Sequence, residues 1–221
     1  MISIIVPVLN EEKKLPDLLS HLQVFREQGH ELIIVDGGSN DNSLMLAQMS
    51  ADNVIVSRKG RAIQMNSGAS VARGEVLLFL HSDTFLPETA LNTIEDFVQD
   101  SFWGRFDVRL SSNKFIFRII ESLINIRSRL TSINTGDQAI FIESQLFNVV
   151  GGFPEIALME DIAISKKLKN IIPPICLKQK VISSSRRWEK RGVIATVFLM
   201  WKLRLYYYFG VSPEKLNQLY R

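Results

Sequence analysis

The 221-residue chain lacks the residues and motifs that mark several protein classes. Its single cysteine, Cys176, excludes an internal disulfide and favours a reducing cytoplasm. No run reaches the roughly eighteen apolar residues that a membrane span needs, and residues 2–9 lack the basic leader of a signal peptide. Neither GxGxxG nor GxxxxGK[ST] occurs. Both absences argue against a dinucleotide-dependent dehydrogenase and a P-loop ATPase.

The charges are unevenly distributed along the chain. Residues 166–221 hold 13 of the 26 Lys and Arg residues but only two of the 23 acidic residues. An acidic body with a basic tail indicates an anionic partner near the C-terminus, such as phosphates or an anionic lipid surface. A solvated basic face is the alternative.

Strands and helices alternate over the first hundred residues. Apolar runs predict strands over residues 2–8, 32–35, 54–56 and 76–80, and helices over residues 15–26, 43–49 and 62–72. Pro87 and Glu88 predict the start of a helix that runs towards Val98. This alternation is typical of a parallel sheet with right-handed crossovers, so we expect a single α/β domain.

The second half of the chain is less regular. We predict strands over residues 103–110 and 139–142 and a short helix over 160–168. Apolar residues at helical spacing predict a helix over 115–130, and a long apolar-rich helix follows over 192–209. The last helix indicates a helical C-terminal extension of the domain.

One apolar run ends abruptly in polar residues. Residues 76–80 are followed directly by His81, Ser82 and Asp83. Ligands of open α/β sheets lie beyond the carboxyl ends of the strands, and hard cations prefer oxygen ligands there. We therefore predict that Asp83 binds a divalent metal. The alternative is that Ser82 or Asp83 caps the next turn or helix.

Two further segments follow strands of the same predicted sheet. Asp36 precedes paired glycines and Ser39, where the backbone allows close approach of a ligand and the carboxylate can accept from a ribose. A tight turn with a helix cap is the alternative. Arg58 and Arg61 flank Gly60 and suit a nucleotide or diphosphate, unless they belong to a solvated loop.

Two motifs in the second half carry chemistry. Glu160 and Asp161 are neighbours about 100° apart on a helix, so one carboxylate can point into a cleft as a general base. Surface charge is the usual role of such a pair. Arg187 and Trp188 suit a phosphate clamp or stacking on a sugar face, and they could equally tie the C-terminal helix to the body.

Taken together, these residues resemble a family-2 glycosyltransferase with the GT-A fold over nearly the whole chain. The opening strand and turn, the donor-nucleotide loop, the stretch before the metal strand, the Asp-x-Asp position and the catalytic acidic pair occur in the family's order. They comprise Pro7, Asn10 and Glu11; Asp36, Gly38 and Ser39; Asn66; His81, Ser82 and Asp83; and Glu160 with Asp161. Residues 136–139 and 186–189 resemble a compact bacterial branch labelled radical-SAM-associated.

The resemblance implies a Rossmann-like, mostly parallel sheet flanked by helices. Residues 1–100 would bind the nucleotide sugar, residues 101–190 would hold the acceptor and the catalytic groups, and residues 191–221 would form the helical extension. It also implies inverting, non-processive transfer from a nucleotide-diphosphate sugar, with a UDP-sugar expected, to a hydroxyl acceptor. Nucleic acid is not an expected partner.

The family pattern assigns roles to individual residues. Asp161 would be the base, with Glu160 beside it, and Asp83 would bind Mg2+ or Mn2+. The donor would contact Arg58 or Arg61, the loop from Asp36, the strand-end residues, and Arg187 with Trp188.

Two departures limit this resemblance, and a third argues against a processive synthase. His81 replaces the first carboxylate of Asp-x-Asp, Gly37 replaces an acid of the donor loop, and Ser184 stands where processive synthases carry Gln. A catalytically silent sugar-nucleotide-binding module is therefore one alternative. The other is a peripheral enzyme that acts on a lipid-linked acceptor at the inner face of the plasma membrane, with residues 193–201 in the membrane interface. A homodimer packed through the same residues stays open.

Overall fold

The computed structural model describes residues 1–97 and 101–220. The strands are β1 (Ile2–Val8), β2 (Glu31–Asp36), β3 (Asn53–Val56), β4 (Val76–Phe79), β5 (Thr84–Phe85), β6 (Trp103–Leu110), β7 (Ile140–Glu143) and β8 (Ile175–Ser183). The helices are α1 (Leu15–Glu27), α2 (Ser43–Gln48), α3 (Arg61–Val71), α4 (Ala90–Glu95), α5 (Phe115–Thr131), α6 (Ser144–Val149), α7 (Glu160–Leu168), α8 (Arg186–Arg191), α9 (Val193–Tyr208) and α10 (Pro213–Tyr220). A 3-10 turn spans Gly136–Gln138.

The described strands form one sheet in the order β3-β2-β1-β4-β7-β6-β8-β5. The first four strands pair in parallel, as the alternation of strands and helices predicts. β7 pairs antiparallel with both β4 and β6, whereas β6 and β8 are parallel. The sheet is therefore parallel at its N-terminal half and mixed beyond β4, and the α/β prediction is confirmed.

The central strands are apolar because helices cover both faces of the sheet. In β1, Ile4 belongs to one core cluster and Ile5 to the other, so alternate side chains point to opposite layers. Gly68 of α3 lies so close to β1 that a Cβ there would overlap the Ile5 side chain. This close packing holds α3 against the strands whose ends form the site described below.

Some elements differ from the predictions, and the differences have physical reasons. α4 begins at Ala90 rather than at Pro87, because Pro87 to Ala90 forms a turn in which the Ala90 amide donates to the Pro87 carbonyl at 2.9 Å. It ends at Glu95, before the predicted Val98, which itself lies outside the described residues. Asp83 precedes strand β5 and Thr89 flanks the start of α4, so neither Ser82 nor Asp83 caps a helix. The sequence analysis did not predict β5, β8, α6, α8 and α10.

The C-terminal helices pack on α7. Leu203 of α9 and Leu216 of α10 are fully buried with Leu158, Met159 and Ile162 around the start of α7. The predicted helical extension is thereby confirmed as part of the fold. Among the described helices, not one combines the length and the apolar content that crossing a bilayer requires.

Candidate functional site

A cavity of about 850 Å³ opens beyond the carboxyl ends of β1 and β4. Its wall continues along the 3-10 turn and the first turn of α7, and it extends between α5 and α9. It brings together nine of the predicted site residues, namely Pro7, Glu11, Arg61, His81, Ser82, Asp83, Asp161, Arg187 and Trp188. The carboxyl ends of the strands therefore form the site expected for an α/β sheet.

Asp83 is one of four carboxylates that line this cavity, with Glu11, Asp137 and Asp161. Burial raises the pKa of Asp83, and the nearby charge of Asp137 raises it further, while Lys14 opposes the rise. Burial also raises the pKa of Glu11, and the charge of Asp83 contributes to that rise. These acids lie close enough to repel one another, and a bound cation would relieve that repulsion.

No three His, Cys, Asp or Glu side chains among residues 1–97 and 101–220 are arranged to hold a metal ion. Mg2+ is commonly bound by one or two carboxylates together with substrate phosphates and water. A single carboxylate at Asp83 in an acidic wall therefore fits such a site only with a phosphate-bearing ligand.

Asp161 faces the cavity from the first turn of α7. Its Oδ2 accepts from the Gly136 amide at 3.0 Å and its Oδ1 accepts from the Ile162 amide at 2.7 Å. Met159, at φ 73°, turns the chain into the helix just before it. These contacts fix the carboxylate in one orientation beside the 3-10 turn, as a positioned base requires.

Glu160 points away from the main cavity, as neighbouring residues on a helix must. It is 2% exposed and pairs with the Arg61 guanidinium. Burial raises the pKa of Glu160, and the charge of Arg61 opposes that rise. Glu160, which was predicted to be catalytic, therefore does not line the main cavity. It pairs with Arg61 and holds that residue at the cavity wall.

The imidazole of His81 is neutral. Burial, reinforced by the positive charge of Arg61, lowers the pKa of His81 to about 3. Its ring packs so tightly against Gly136 that a Cβ at that position would overlap the ring. His81 thus joins the end of β4 to the turn that orients Asp161.

The polar groups of the predicted donor loop form hydrogen bonds within the loop and with the neighbouring turn. Asp36 Oδ2 accepts from the Gly38 and Ser39 amides at 2.9 and 2.8 Å. The Asn10 amide donates to Ser39 Oγ at 2.9 Å, and Asn10 Oδ1 accepts from the Asn40 amide at 2.8 Å. None of Asn10, Asp36, Gly38 and Ser39 lines the cavity, so within the described chain they shape the loop beside it.

Two other predicted residues also lie outside the cavity lining. The Asn66 side chain donates to the Phe153 carbonyl at 2.8 Å and accepts from the Phe153 amide at 3.0 Å. Arg58 is 79% exposed and lies 3.5 Å from Glu155. Asn66 therefore fixes the glycine-containing loop before α7, whereas Arg58 extends into solvent.

Arg187 and Trp188 line the cavity but contact the C-terminal helices and the body of the fold. Arg187 stacks on Tyr220, with its guanidinium carbon 3.6 Å from the ring centroid, and it donates to the Tyr220 carbonyl at 3.3 Å. Trp188 packs against the cluster of Leu110, Phe117 and Ile120. The alternative that these residues tie the C-terminal helices to the body is thus observed.

The sequence analysis missed several polar residues of the site, among them Asp137, Gln64, Arg127 and Arg204. Gln64 Nε2 donates to the carbonyls of Val8 and Val35 at 2.9 and 2.8 Å, which fixes the ends of β1 and β2 side by side. Arg127 and Arg204 line the far part of the cavity. Their only signal in the sequence is a cation within an apolar helical pattern.

The chain is similar to known glycosyltransferases. A family model described as Glycosyl transferase family 2 matches residues 3–151. A PGL/p-HBAD biosynthesis glycosyltransferase of Mycobacterium bovis (strain BCG / Pasteur 1173P2) is 32% identical over 166 residues, which cover 69% of this chain and 63% of that protein. The chain spans less than two thirds of the length of the curated relatives that it matches.

Two solved structures share the fold. Mannosyltransferase PcManGT from Pyrobaculum calidifontis in complex with GDP-Man and Mn2+ is 16% identical, with a TM-score of 0.67, over 99% of this chain and 67% of that chain. S. aureus TarS 1-349 in complex with UDP-GlcNAc is 21% identical, with a TM-score of 0.65, over 83% of this chain and 58% of that chain. Both likenesses confirm the GT-A architecture.

Proposed function

Because the chain belongs to glycosyl transferase family 2, we propose that it transfers a sugar from a nucleoside-diphosphate sugar to a hydroxyl acceptor, with inversion at the anomeric carbon. The observation that carries this proposal is one cavity at the carboxyl ends of β1 and β4 that both Asp83 and Asp161 line. These two carboxylates suit the two tasks of the reaction, which are to hold the leaving diphosphate and to accept a proton.

Asp161 would act as the general base. The acceptor oxygen forms a bond to the anomeric carbon, its proton passes to the Asp161 carboxylate, and the bond from that carbon to the diphosphate oxygen breaks. The Gly136 and Ile162 amides hold the carboxylate in place, so little reorganisation accompanies the transfer. Glu160 would act as a positioning residue that keeps Arg61 beside the leaving group.

Asp83 would hold Mg2+ or Mn2+ together with the donor diphosphate. When bound, such a cation neutralises charge that develops on the leaving group. The elevated pKa of Asp83 supports this assignment, because a buried carboxylate beside Asp137 is stabilised by a positive partner. The loop fixed by Asp36 and Asn10, and the strand ends fixed by Gln64, would support the nucleoside.

A UDP-sugar is the proposed donor, and TarS with bound UDP-GlcNAc supports a uridine nucleotide in this fold. PcManGT with GDP-Man and Mn2+ supports a divalent metal in the donor site. It also makes guanine the other base to test. A cytoplasmic location stays a prediction.

A catalytically silent sugar-nucleotide-binding module is the second candidate. His81 at the first position of the Asp-x-Asp site, which leaves Asp83 as the carboxylate of that motif, favours it. Such a module would bind a nucleotide equally well with and without metal, and it would not release nucleoside diphosphate from any donor.

The direct test is a thermal-unfolding panel of UDP, GDP, dTDP and CMP, each with and without Mn2+. A ligand that binds only the folded state raises the unfolding temperature, so we expect one nucleotide to do so in a Mn2+-dependent way. Asp83→Asn should lose the Mn2+ dependence, whereas Glu155→Gln, an exposed carboxylate beside Arg58, should keep it. If no nucleotide shifts the transition, the donor site is wrong.

A further inference from the structure

Helix α5 turns buried polar residues as well as apolar ones towards the sheet. Glu121 is 3% exposed and accepts from the Leu110 amide at 3.0 Å. Asn125 is 8% exposed and bonds both the amide and the carbonyl of Val108, at 2.9 and 3.0 Å. Glu121 and Asn125 thus lie on the side of α5 that meets β6, whereas the apolar residues Leu123, Ile126 and Leu130 are exposed.

The outward stripe of α5 forms one wall of an apolar groove, and α9 forms the other. Leu123, Ile126 and Leu130 are 60%, 54% and 81% exposed, and all three line the cavity. We call this part of the cavity the α5/α9 groove, formed by Leu123, Ile126, Leu130, Val197, Met200 and Trp201. Two exposed apolar walls that face one cavity indicate a bound apolar partner.

Two arginines line the same groove. The Nε and Nη2 atoms of Arg127 are buried without a hydrogen-bond partner, and its Nη1 donates to the Ile133 carbonyl at 3.3 Å. Leaving such charged donors buried and unpaired is costly, and an acceptor group in the groove would lower that cost. Arg204 of α9 lines the groove as well, and both guanidiniums suit a phosphate or carboxylate.

Charge connects this groove to the reaction site. Burial, together with the charge of Arg204, lowers the pKa of Arg127 to about 10, and the charges of Asp137 and Asp161 oppose that shift. Arg127 therefore stays positive at neutral pH, and it lies near enough to Asp161 to interact with it. An anion bound at Arg127 would hold the rest of its molecule within reach of the proposed base.

We propose that the α5/α9 groove binds the hydrocarbon chain of an anionic lipid acceptor, whose anionic group pairs with Arg127 and Arg204 and whose hydroxyl reaches Asp161. The proposal names the acceptor class and rests on the proposed function. A single amphiphile satisfies both observations, since its chain covers the apolar walls and its charge completes the unpaired guanidinium. A second copy of the chain could cover the apolar walls, but apolar contact alone would not provide an anion for Arg127.

Calorimetric titration of the full chain with decyl phosphate, decyl maltoside and inorganic phosphate tests the proposal, with each amphiphile kept below its micelle concentration. We expect decyl phosphate to bind about tenfold or more tightly than decyl maltoside, because a charge-assisted pair adds to burial of the same chain. Arg127→Gln and Arg204→Gln should remove that difference and leave decyl maltoside binding unchanged. Arg204→Gln keeps the test valid if Arg127→Gln does not fold.

A matched pair on α9 tests the groove itself. Trp201 and Phe198 are both 67% exposed, but only Trp201 lines the cavity. Trp201→Glu should weaken the binding of both amphiphiles about tenfold, since a charge replaces apolar contact, and Phe198→Glu should leave both unchanged. Equal loss in the two variants would overturn the groove assignment.

Other outcomes also contradict the proposal. Inorganic phosphate that binds as tightly as decyl phosphate would leave the apolar walls without a role. A dimer that Trp201→Glu converts to a monomer in light scattering would assign the walls to a second copy. The nucleotide panel is independent of these titrations: a nucleotide shift without decyl phosphate binding overturns only the acceptor class, whereas no nucleotide shift overturns the sugar-transfer proposal itself.

Discussion

The two ends of the cavity are built in opposite ways. At the strand ends, Gln64 of the cavity wall bonds backbone atoms of two strands, and Asp36 and Asn10 do the same for the loop beside the cavity. In the α5/α9 groove, apolar side chains are exposed and Arg127 keeps two buried nitrogens without a partner. The loop and strand ends are held by their own hydrogen bonds, whereas the groove leaves charged donors unpaired.

The difference follows from what each part has to do. A nucleotide site works through fixed backbone and carboxylate geometry. A loop held by its own hydrogen bonds provides that geometry before the ligand binds. A site for a flexible apolar chain needs area and shape rather than directed bonds. The following predictions test this comparison, from the largest expected effect to the smallest.

Loss of the base should have the largest effect. Asp161→Asn should lower the rate of nucleoside diphosphate release from the donor by about a hundred- to ten-thousand-fold, because general-base assistance disappears while the shape is kept. The nucleotide-induced thermal shift should remain. The rate is measured with either water or an added acceptor. A wild-type rate in this variant would show that another group takes the proton.

A methyl group at Gly136 should disturb the strand-end part. Gly136→Ala would place a Cβ on the His81 ring, and overpacking of this kind costs about 1–3 kcal/mol of unfolding free energy. Gly68→Ala would overlap Ile5 and Val35 in the core and should cost a similar amount in urea unfolding. Only Gly136→Ala should also weaken nucleotide binding by the folded protein. Equal effects on binding would mean that the His81 contact does not shape the site.

The smallest predicted effect is a loss of stability at mildly acidic pH. Burial lowers the pKa of His30, and its Nδ1 accepts from the Ile2 amide at 3.2 Å, which requires the unprotonated nitrogen. As the pH falls through about 6.5, the unfolded chain takes up a proton that the folded chain does not, so stability decreases. His30→Asn keeps an acceptor but does not titrate there. Its unfolding free energy should depend less on pH, and an unchanged pH dependence would contradict this explanation.

The sequence predicted the N-terminal half of the fold well, for a simple reason. Strands such as residues 76–80 are buried on both faces, so their apolar runs are unbroken and their polar ends are sharp. β8 was not predicted because the polar run from Lys178 to Lys180 interrupts its apolar residues, where the pairing with β6 shifts register. The convergence of Asp83 and Asp161 on one cavity was implied by the resemblance to the family.

Other features were beyond the reach of the sequence. The spacing of apolar residues predicted α5, but it did not reveal that Glu121 and Asn125 face the sheet, because their partners are backbone atoms of β6. Likewise, the residue types at Asp36 and Glu160 suited ligand binding and catalysis. Only the structure shows that these carboxylates are engaged by the Gly38 and Ser39 amides and by Arg61.

The central claim is a single displacement at one cavity, with the donor held at the strand ends and the acceptor activated by Asp161. Proton NMR of the sugar first released from an α-linked nucleotide donor measures the anomeric configuration directly. The account predicts the β anomer as the first product, formed by the wild-type protein and lost in Asp161→Asn. An α anomer as the first product would contradict it.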